Sequence, residues 1–221
     1  MQQHFSPFHL ILFVLILVSL LIFIQLGILT IAFNKLGLSP TKAYLLLCCS
    51  LFGSAINLPL FTIQSDAEMQ QMPLSRWRLL RMNHTVYEGK TLIAINVGGC
   101  LIPFAFSIYL LANTTIGFFS ALLGIGLVSI VTFLFSRPIE GLGIGIPIFI
   151  APISAALVAL MIDPEYSAPL AYIAGTLGVI VGADLLRLKD IRHMGTPFAS
   201  IGGAGTFDGI FITGIVAVLL A

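Results

Sequence analysis

Two aspartates near the end of the chain lie in consecutive apolar, glycine-rich segments. Asp184 lies in GVIVGADLLRL (residues 178–188) and Asp208 in GGAGTFDGIFITG (residues 202–214). A carboxylate within a membrane is costly, so an intramembrane aspartate is by default a candidate functional residue. Two carboxylates in one restricted site cannot both ionise cheaply, so they share a proton, and one becomes a general base and the other a general acid. This is the chemistry by which an aspartyl hydrolase activates water, and it predicts that Asp184 and Asp208 are a catalytic pair.

The composition indicates that this pair belongs to a membrane protein. Hydrophobic residues make up 58% of the 221 residues and charged residues only 9%, whereas a soluble domain carries about 25% charged residues. The net charge is +1, and the Lys and Arg residues are spread over short segments without forming a basic face. Nucleic acid is therefore not an expected partner. The expected partner is the lipid bilayer. We therefore predict an all-α, polytopic protein of the inner (cytoplasmic) membrane, folded as a single transmembrane domain over residues 1–221.

Apolar segments bounded by charges, prolines and turn residues predict about seven transmembrane helices. Each is close to the roughly 20 residues that a helix needs to cross a bilayer. The first is too long for the core of a signal peptide and lacks a small-residue cleavage site, so we expect it to remain as a signal anchor. The predicted spans are residues 8–32, 43–63, 91–112, 116–135, 143–161, 169–187 and 203–221.

The distribution of Lys and Arg predicts how these helices are oriented. With seven spans, eight of the ten basic residues lie in loops on one side of the membrane, and only Lys35 and Lys42 lie on the other. The positive-inside rule places the side with eight charges in the cytoplasm. We therefore expect a cytoplasmic N-terminus, with Asp184 and Asp208 in the cytoplasmic halves of their helices.

The last two predicted helices are joined by residues 188–202, and two antiparallel helices joined in this way would carry the two aspartates at a similar depth. Asp184 lies about one turn before the end of its helix, and Asp208 roughly one to two turns after the start of the next. Glycines surround both positions, and small residues let helix backbones approach closely. Gly205 and Gly209, which flank Asp208, are predicted to line a substrate-binding or ion-binding site.

Two intramembrane asparagines widen the predicted site. Asn57 is followed by Pro59 late in the second span, and Asn96 is followed by two glycines early in the third. Proline frees a backbone carbonyl and glycine permits unwinding, and transporters build sodium or proton sites from such discontinuous helices. A proton- or sodium-coupled transporter of a small molecule is therefore the alternative to a hydrolase. In that interpretation Asn57 and Asn96 bind the substrate or the ion.

Structural interpretations of the same residues stay open. Asp184 lies near the end of its helix, where its carboxylate could point outward toward Arg187. Asn57 and Asn96 are equally suited to hydrogen bonds between helices, and a purely structural membrane protein would use all of these residues for packing. The sequence contains no zinc, serine-nucleophile or nucleotide-binding motif, so we expect no metal and no other cofactor. For a hydrolase the expected substrate is a transmembrane peptide.

Five segments rich in glycine and apolar residues follow one another through most of the chain. They are GSAINLPL (53–60), INVGGCLIPF (95–104), RPIEGLGIGIPIFIAP (137–152), GTLGVIVGADLL (175–186) and IGGAGTFDGIFITGIVAVLLA (201–221). In this order they resemble an uncharacterised prokaryotic membrane family, domain of unknown function 1614. The resemblance covers residues from about 40 to 221 and implies a membrane fold, but it indicates no activity.

The residues that lead to the second aspartate, Gly205-Thr206-Phe207-Asp208, carry a further resemblance. They are similar to the motif of intramembrane aspartyl proteases of the presenilin, signal peptide peptidase and prepilin peptidase type. In those families G-x-G-D opens one catalytic helix, and a second aspartate lies on a neighbouring helix. This chain keeps the first glycine and the aspartate but has Phe207 in place of the second glycine. The resemblance implies that Asp184 and Asp208 are the catalytic residues.

Overall fold

The computed structural model describes residues 14–19, 27–64, 89–139, 143–203 and 209–221. These residues are mostly helical, and residues 14–19 are one short helical stretch. The longer helices are α1 (Ile28–Lys35), α2 (Pro40–Gly53), α3 (Ile102–Asn113), α4 (Phe118–Phe135), α5 (Ile150–Ile162), α6 (Ser167–Val179) and α7 (Gly209–Leu220). A π-helical segment precedes α3 (Val97–Leu101), another follows α6 (Ile180–Leu185), and a 3-10 helix covers Asp190–His193.

The prediction of an all-α fold is corrected by short strands in the described residues. They are β1 (Asn57–Gln64), β2 (Lys90–Asn96), β3 (Arg137–Ile139), β4 (Gly143–Gly145) and β5 (Phe198–Ile201). The predicted span 43–63 is helical only up to Gly53, and the predicted span 91–112 begins as β2. Pro59 lacks the N–H that a continuing helix needs, and the β-branched side chains of β2 suit a strand.

Three of these strands form one sheet in the order β1-β2-β5. β1 and β2 are antiparallel, and the Cα partners run from Asn57 opposite Asn96 to Gln64 opposite Lys90. β5 pairs with β2 in parallel, although more than 100 residues separate the two strands in sequence. β3 and β4 form a separate antiparallel pair, so the predicted span 143–161 begins as a strand and becomes helical only at Ile150.

α6 is the central helix of the bundle and contacts α3, α4, α5 and α7. Leu170, Tyr172 and Ile173 on this helix are completely buried. They belong to a large apolar core between the helices. A second, smaller core lies where the three-stranded sheet meets the last turns of α6 and the first turn of α7.

Among the described residues, two helices are long and apolar enough to cross a membrane. They are Phe118–Phe135 and Ser167–Leu185, which correspond to the predicted spans 116–135 and 169–187. Shorter apolar helices cover Val97–Asn113, Ile150–Ile162 and Ile210–Leu220. The predicted signal anchor, residues 8–32, lies only in part within the described residues, which cover 14–19 and 27–32 of it.

Candidate functional site

Asp184 lies on a widened helical turn at the end of the central helix. It is the fifth residue of the π-helical segment Ile180–Leu185, and π-helical turns within α-helices are frequent at functional sites. The side chain is partly exposed, but its Oδ2 atom is shielded from solvent. Leu185 and Leu186, the next residues, are exposed. One oxygen of the carboxylate is therefore held inside the protein at the point where α6 emerges from the core.

Glycines bring α4 against this end of α6. A methyl group on Gly178 would lie 2.8 Å from Cβ of Val128, and one on Gly182 would overlap Ser129 and Thr132. Thr132 Oγ1 donates a hydrogen bond to the carbonyl oxygen of Gly178 at 3.0 Å. Gly178 and Gly182 form the small-xxx-small pattern that lets helix backbones touch, and the contact fixes the helix end that carries Asp184.

The second predicted aspartate, Asp208, lies outside the described residues, and so does Gly205. Gly209 is the first residue of α7. The structure therefore describes the residues on either side of the segment that carries Asp208, and these residues mark its two ends.

Residues near both ends of the segment that carries Asp208 belong to the same apolar core as the residue before Asp184. Ile201, the last residue of β5, and Ile210, in the first turn of α7, are buried in the smaller apolar core. Ala183, the residue before Asp184, is buried in the same core. Near sequence neighbours of the two aspartates therefore share one apolar core.

The two predicted asparagines face each other across the β1–β2 pair. Asn96 Nδ2 donates hydrogen bonds to Asn57 Oδ1 at 3.0 Å and to the carbonyl oxygen of Ser54 at 2.7 Å. Asn96 Oδ1 accepts one from the backbone N–H of Gly99 at 2.7 Å. Ser200 on β5 donates through Oγ to Asn57 Oδ1 at 2.8 Å. We call Asn57, Asn96 and Ser200 the polar clasp; both of its amide oxygens accept hydrogen bonds from the protein.

The backbone directly after β5 packs closely against the first π-helical segment. Gly202 has a φ of +82°, which L-residues with side chains rarely adopt. A methyl group on Gly202 would lie 2.6 Å from Cβ of Cys100, and one on Gly99 would lie 2.9 Å from the carbonyl carbon of Gly202. Only glycine at both positions lets the two backbone segments lie this close. The contact connects the start of the Asp208 segment with the residues after Asn96.

Arg187 binds the C-terminal end of α4. Its Nε donates to Ser136 Oγ at 3.1 Å, and its Nη2 donates to the carbonyl oxygens of Phe133 and Ser136 at 2.8 Å and 3.0 Å. Its Nη1 forms an ion pair with Asp190 Oδ2 at 2.9 Å, and the guanidinium lies 4.3 Å above the ring centroid of Phe133. These bonds use four of the five guanidinium N–H groups, so the described bonds of Arg187 connect α4 with the chain after Asp184.

Sequence reasoning missed Ser200 and the role of Arg187. Ser200 lies in a stretch without a motif, and it meets Asn57 across 143 residues of sequence. No local pattern indicates that contact, because it depends on the pairing of β5 with β2. Arg187 was considered only as a partner for Asp184, whereas helix C-termini with unsatisfied carbonyls are a general site for arginine.

The described residues do not bring three or more His, Cys, Asp or Glu side chains together as a metal-binding group. A cavity of about 500 Å³ lies at the end of the bundle away from the sheet, and Lys35, Asn113, Glu165 and Ala221 are among the residues that line it. The candidate site at Asp184 is thus separate from this cavity.

The fold and the site define a mainly helical protein with two helices apolar enough to cross a membrane and a polar site where helix ends meet a small sheet. The chain belongs to the family described as Protein of unknown function (DUF1614), whose model matches residues 51–220. This confirms the family predicted from the sequence, and it supplies no activity. No curated protein and no solved structure matches the chain, and the resemblance to intramembrane aspartyl proteases gains no support from the comparisons.

Proposed function

We propose that this protein is an intramembrane aspartyl hydrolase in which Asp184 and Asp208 form a catalytic carboxylate pair. The observation that carries the proposal is the smaller apolar core, which holds Ala183 together with Ile201 and Ile210. Asp184 follows the first of these directly, and Asp208 lies between the other two. The geometry of the flanking residues thus supports a site in which the two carboxylates meet.

The surface of α4 supports a membrane location. Only 28% of this 18-residue helix is buried, although its mean hydropathy is 2.4. Phe118, Phe119 and Leu134 are 74%, 76% and 66% exposed. Soluble monomers rarely expose a contiguous apolar patch larger than a few hundred Å², whereas lipid chains would cover this face. We therefore place the protein in the cytoplasmic membrane as a multi-pass protein.

The positions of the helix ends support seven membrane-spanning segments with a cytoplasmic N-terminus. The cavity groups the C-terminal ends of α1, α3 and α7 with the start of α6, whereas the end of α4 meets the end of α6 on the other side. α1, α3 and α7 therefore run toward the cavity, and α4 and α6 run away from it. Basic residues gather at the sheet end, which the positive-inside rule assigns to the cytoplasm. The described ones are Lys90, Arg137, Arg187, Lys189 and Arg192.

The sheet gives the site access to water. Lipid-exposed sheet edges do not occur within the hydrocarbon region of a membrane, so we place β1, β2 and β5 at the cytoplasmic boundary. Asp184 follows Ala183, which shares the smaller apolar core with Ile93 of β2 and Ile201 of β5, and it is partly exposed. Water, which a hydrolase consumes, would thus reach the carboxylate from the cytoplasmic side while a membrane-embedded substrate approaches from the lipid.

The proposed reaction needs one aspartate ionised and the other protonated. The ionised carboxylate accepts a proton from water as the water oxygen attacks the peptide carbonyl carbon. The protonated aspartic acid donates its proton to the carbonyl oxygen. Collapse of the tetrahedral intermediate then breaks the C–N bond. The leaving amine takes the proton from the first carboxyl group, and the second carboxylate takes back a hydroxyl proton, which restores the starting state of the pair.

The hydrogen bonds of the polar clasp argue against a sodium site at the two asparagines. Asn57 Oδ1 accepts two hydrogen bonds and Asn96 Oδ1 accepts one from the backbone. A sodium ion at these oxygens would compete with those donors, and its binding would open the contacts between β1, β2 and β5.

The proposal is tested first by bridging the two positions. Asp184→Cys and Asp208→Cys are introduced into protein whose native cysteines, Cys48, Cys49 and Cys100, are replaced by Ala, and the purified protein in nanodiscs is treated with a mercury ion or a mild oxidant. We expect efficient intramolecular bridging. A folded, monodisperse sample in which no bridge forms would refute the carboxylate pair.

Activity is then measured as cleavage of a transmembrane reporter peptide in reconstituted vesicles. We expect Asp184→Asn and Asp208→Asn each to abolish cleavage while the helical content is unchanged. Asp163→Asn is the matched control, because Asp163 Oδ1 accepts a bond from the N–H of Tyr166 at the start of α6, away from the site. Cleavage by either site variant at the rate of the control would exclude the catalytic role.

A further inference from the structure

The cavity at the end of the bundle away from the sheet is lined by two opposite charges. Lys35 is the last residue of α1, Glu165 lies just before α6, and both line the cavity. We infer that this cavity binds a small zwitterion, a molecule with one carboxylate and one ammonium group, such as a free amino acid or a short peptide. The inference does not rest on the proposed hydrolase, because the residues of the cavity are separate from the site at Asp184.

The two charges of the cavity do not neutralise each other. Within the described residues, the ammonium group of Lys35 makes one long hydrogen bond, from Nζ to the carbonyl oxygen of Val218 at 3.4 Å, although an ammonium group has three N–H donors. The ion pair formed between described residues is that of Arg187 with Asp190, so Lys35 and Glu165 do not pair. Opposite charges that line one cavity without pairing match the two charges of a zwitterion: Lys35 for the carboxylate, Glu165 for the ammonium group.

Neutral acceptors in the same cavity add to the site for the ammonium group. Asn113 Nδ2 donates to the carbonyl oxygen of Tyr109 at 2.8 Å, and the amide Oδ1 is an acceptor. Ser167 Oγ donates to the carbonyl oxygen of Ala221 at 3.3 Å, and its own lone pairs accept. With Glu165, these two oxygens give three acceptors, which is the number of N–H donors that an ammonium group carries.

The size and the apolar walls of the cavity suit a ligand with an apolar side group. The volume is about 500 Å³, within the range of small-molecule sites. Leu36 and Leu110, which also line it, are almost completely buried. The ring of Tyr109 stacks on the buried Phe106, with ring centroids 5.9 Å apart and an interplanar angle of 17°. Phe106 thus supports the Tyr109 ring from within the bundle, and this ring gives the ligand an aromatic wall.

The test is isothermal titration calorimetry of the purified protein in nanodiscs with two probes, L-phenylalanine and L-alanyl-L-phenylalanine. We expect saturable binding, and the tighter of the two probes shows whether the ligand is an amino acid or a peptide. The methyl ester of that probe lacks the carboxylate, and its N-acetyl form lacks the ammonium group. Each should bind about tenfold more weakly or less, because one charge-assisted contact is lost.

Substitution of the two charged residues shows which end of the ligand each one binds. Lys35→Gln should weaken binding of the tighter probe about tenfold without weakening its methyl ester further, because the two changes remove the same contact. Glu165→Gln should behave in the same way toward the N-acetyl form. Both side chains are exposed, so we expect both variants to fold. Lys42→Gln is the matched control, since Lys42 is an exposed lysine of α2 that does not line the cavity.

Three results would each overturn the inference. They are no binding of either probe at millimolar concentration, equal affinity for the probe and its two derivatives, and unchanged affinity in Lys35→Gln or Glu165→Gln. An effect of Lys42→Gln equal to that of Lys35→Gln would show that net charge alone is responsible, which also contradicts a site in the cavity. None of these results bears on the carboxylate pair, which the bridging of positions 184 and 208 tests separately.

Discussion

Replacement of Gly182 by alanine tests whether the close contact of α4 with α6 sustains the candidate site. The added methyl group would overlap Ser129 and Thr132 on α4 and would lie 2.9 Å from the carbonyl carbon of Ser129. Ordinary contacts of this kind begin at about 3.4 Å, and interiors are too densely packed to absorb the difference. The two helices would have to part by about 0.5–1 Å beside the π-helical segment that carries Asp184.

The expected loss of stability in Gly182→Ala follows from two opposing effects. Overpacking of a tight interface costs about 1–3 kcal/mol, and alanine in place of glycine within a helix returns about 0.5–1 kcal/mol. We therefore expect Gly182→Ala to lower the free energy of unfolding by about 1–2 kcal/mol, which is a shift of about 2–8 °C in the midpoint of thermal unfolding for a chain of this size.

The assay is thermal unfolding in detergent, followed by far-ultraviolet circular dichroism, with Gly126→Ala measured alongside. Gly126 is on α4, and a methyl group there would have no atom within 4 Å, so this control should be neutral or slightly stabilised. We also expect Gly182→Ala to slow the bridging of the two introduced cysteines in the Asp184→Cys, Asp208→Cys protein, whereas Gly126→Ala should not. Equal midpoints for the two variants would refute the argument that glycine at 182 is required for close helix packing.

Three further substitutions test other contacts of the site by the same unfolding measurement. Arg187→Lys should cost about 2 kcal/mol, because an ammonium group cannot reproduce the four bonds of the guanidinium; an unchanged midpoint would show that α4 does not depend on this residue. Thr132→Val should cost about 0.5–1.5 kcal/mol through loss of the hydrogen bond to α6, and a stabilised variant would contradict it. Gly202→Ala should cost more than Gly37→Ala: both glycines have positive φ, which costs a side-chain residue about 1–2 kcal/mol, but only Gly202 also meets Cys100. Equal losses at the two glycines would show that the contact with Cys100 is unimportant.

The two long helices were predictable from the sequence because their signals are local. The segment 116–135 contains neither proline nor charge, and the observed α4 agrees with the predicted span to within two residues. The predicted span 169–187 likewise coincides with α6 and its π-helical extension. Length and apolarity suffice for such helices, because every backbone hydrogen bond is satisfied within the segment.

The sheet was not predictable by the same reasoning. Asn57 to Gln64 and Lys90 to Asn96 are apolar enough to be read as the ends of transmembrane helices, and the third strand of their sheet, β5, lies more than 100 residues later. Burial in β2 follows no simple alternation. For the same reason the sequence marked Asn57 and Asn96 as candidate site residues. It predicted neither the hydrogen bond between them nor the one from Ser200.

The irregular backbone beside Asp184 favours a functional role for this region over a purely structural one. A regular helix satisfies its own N–H and C=O groups, whereas π-helical segments, glycine turns and strand ends leave groups that side chains must satisfy. Here the completely buried Asn96 does so, since its Nδ2 donates to the carbonyl oxygen of Ser54 and its Oδ1 accepts from the N–H of Gly99; each buried group left unpaired would cost about 1–3 kcal/mol. A protein that needed only to pack helices in a membrane would be more stable with regular helices at this end. The irregular backbone is concentrated at the end of the bundle that carries Asp184 and the small sheet, which is the arrangement expected when a site must hold polar groups, admit water and still lie at the edge of a lipid bilayer.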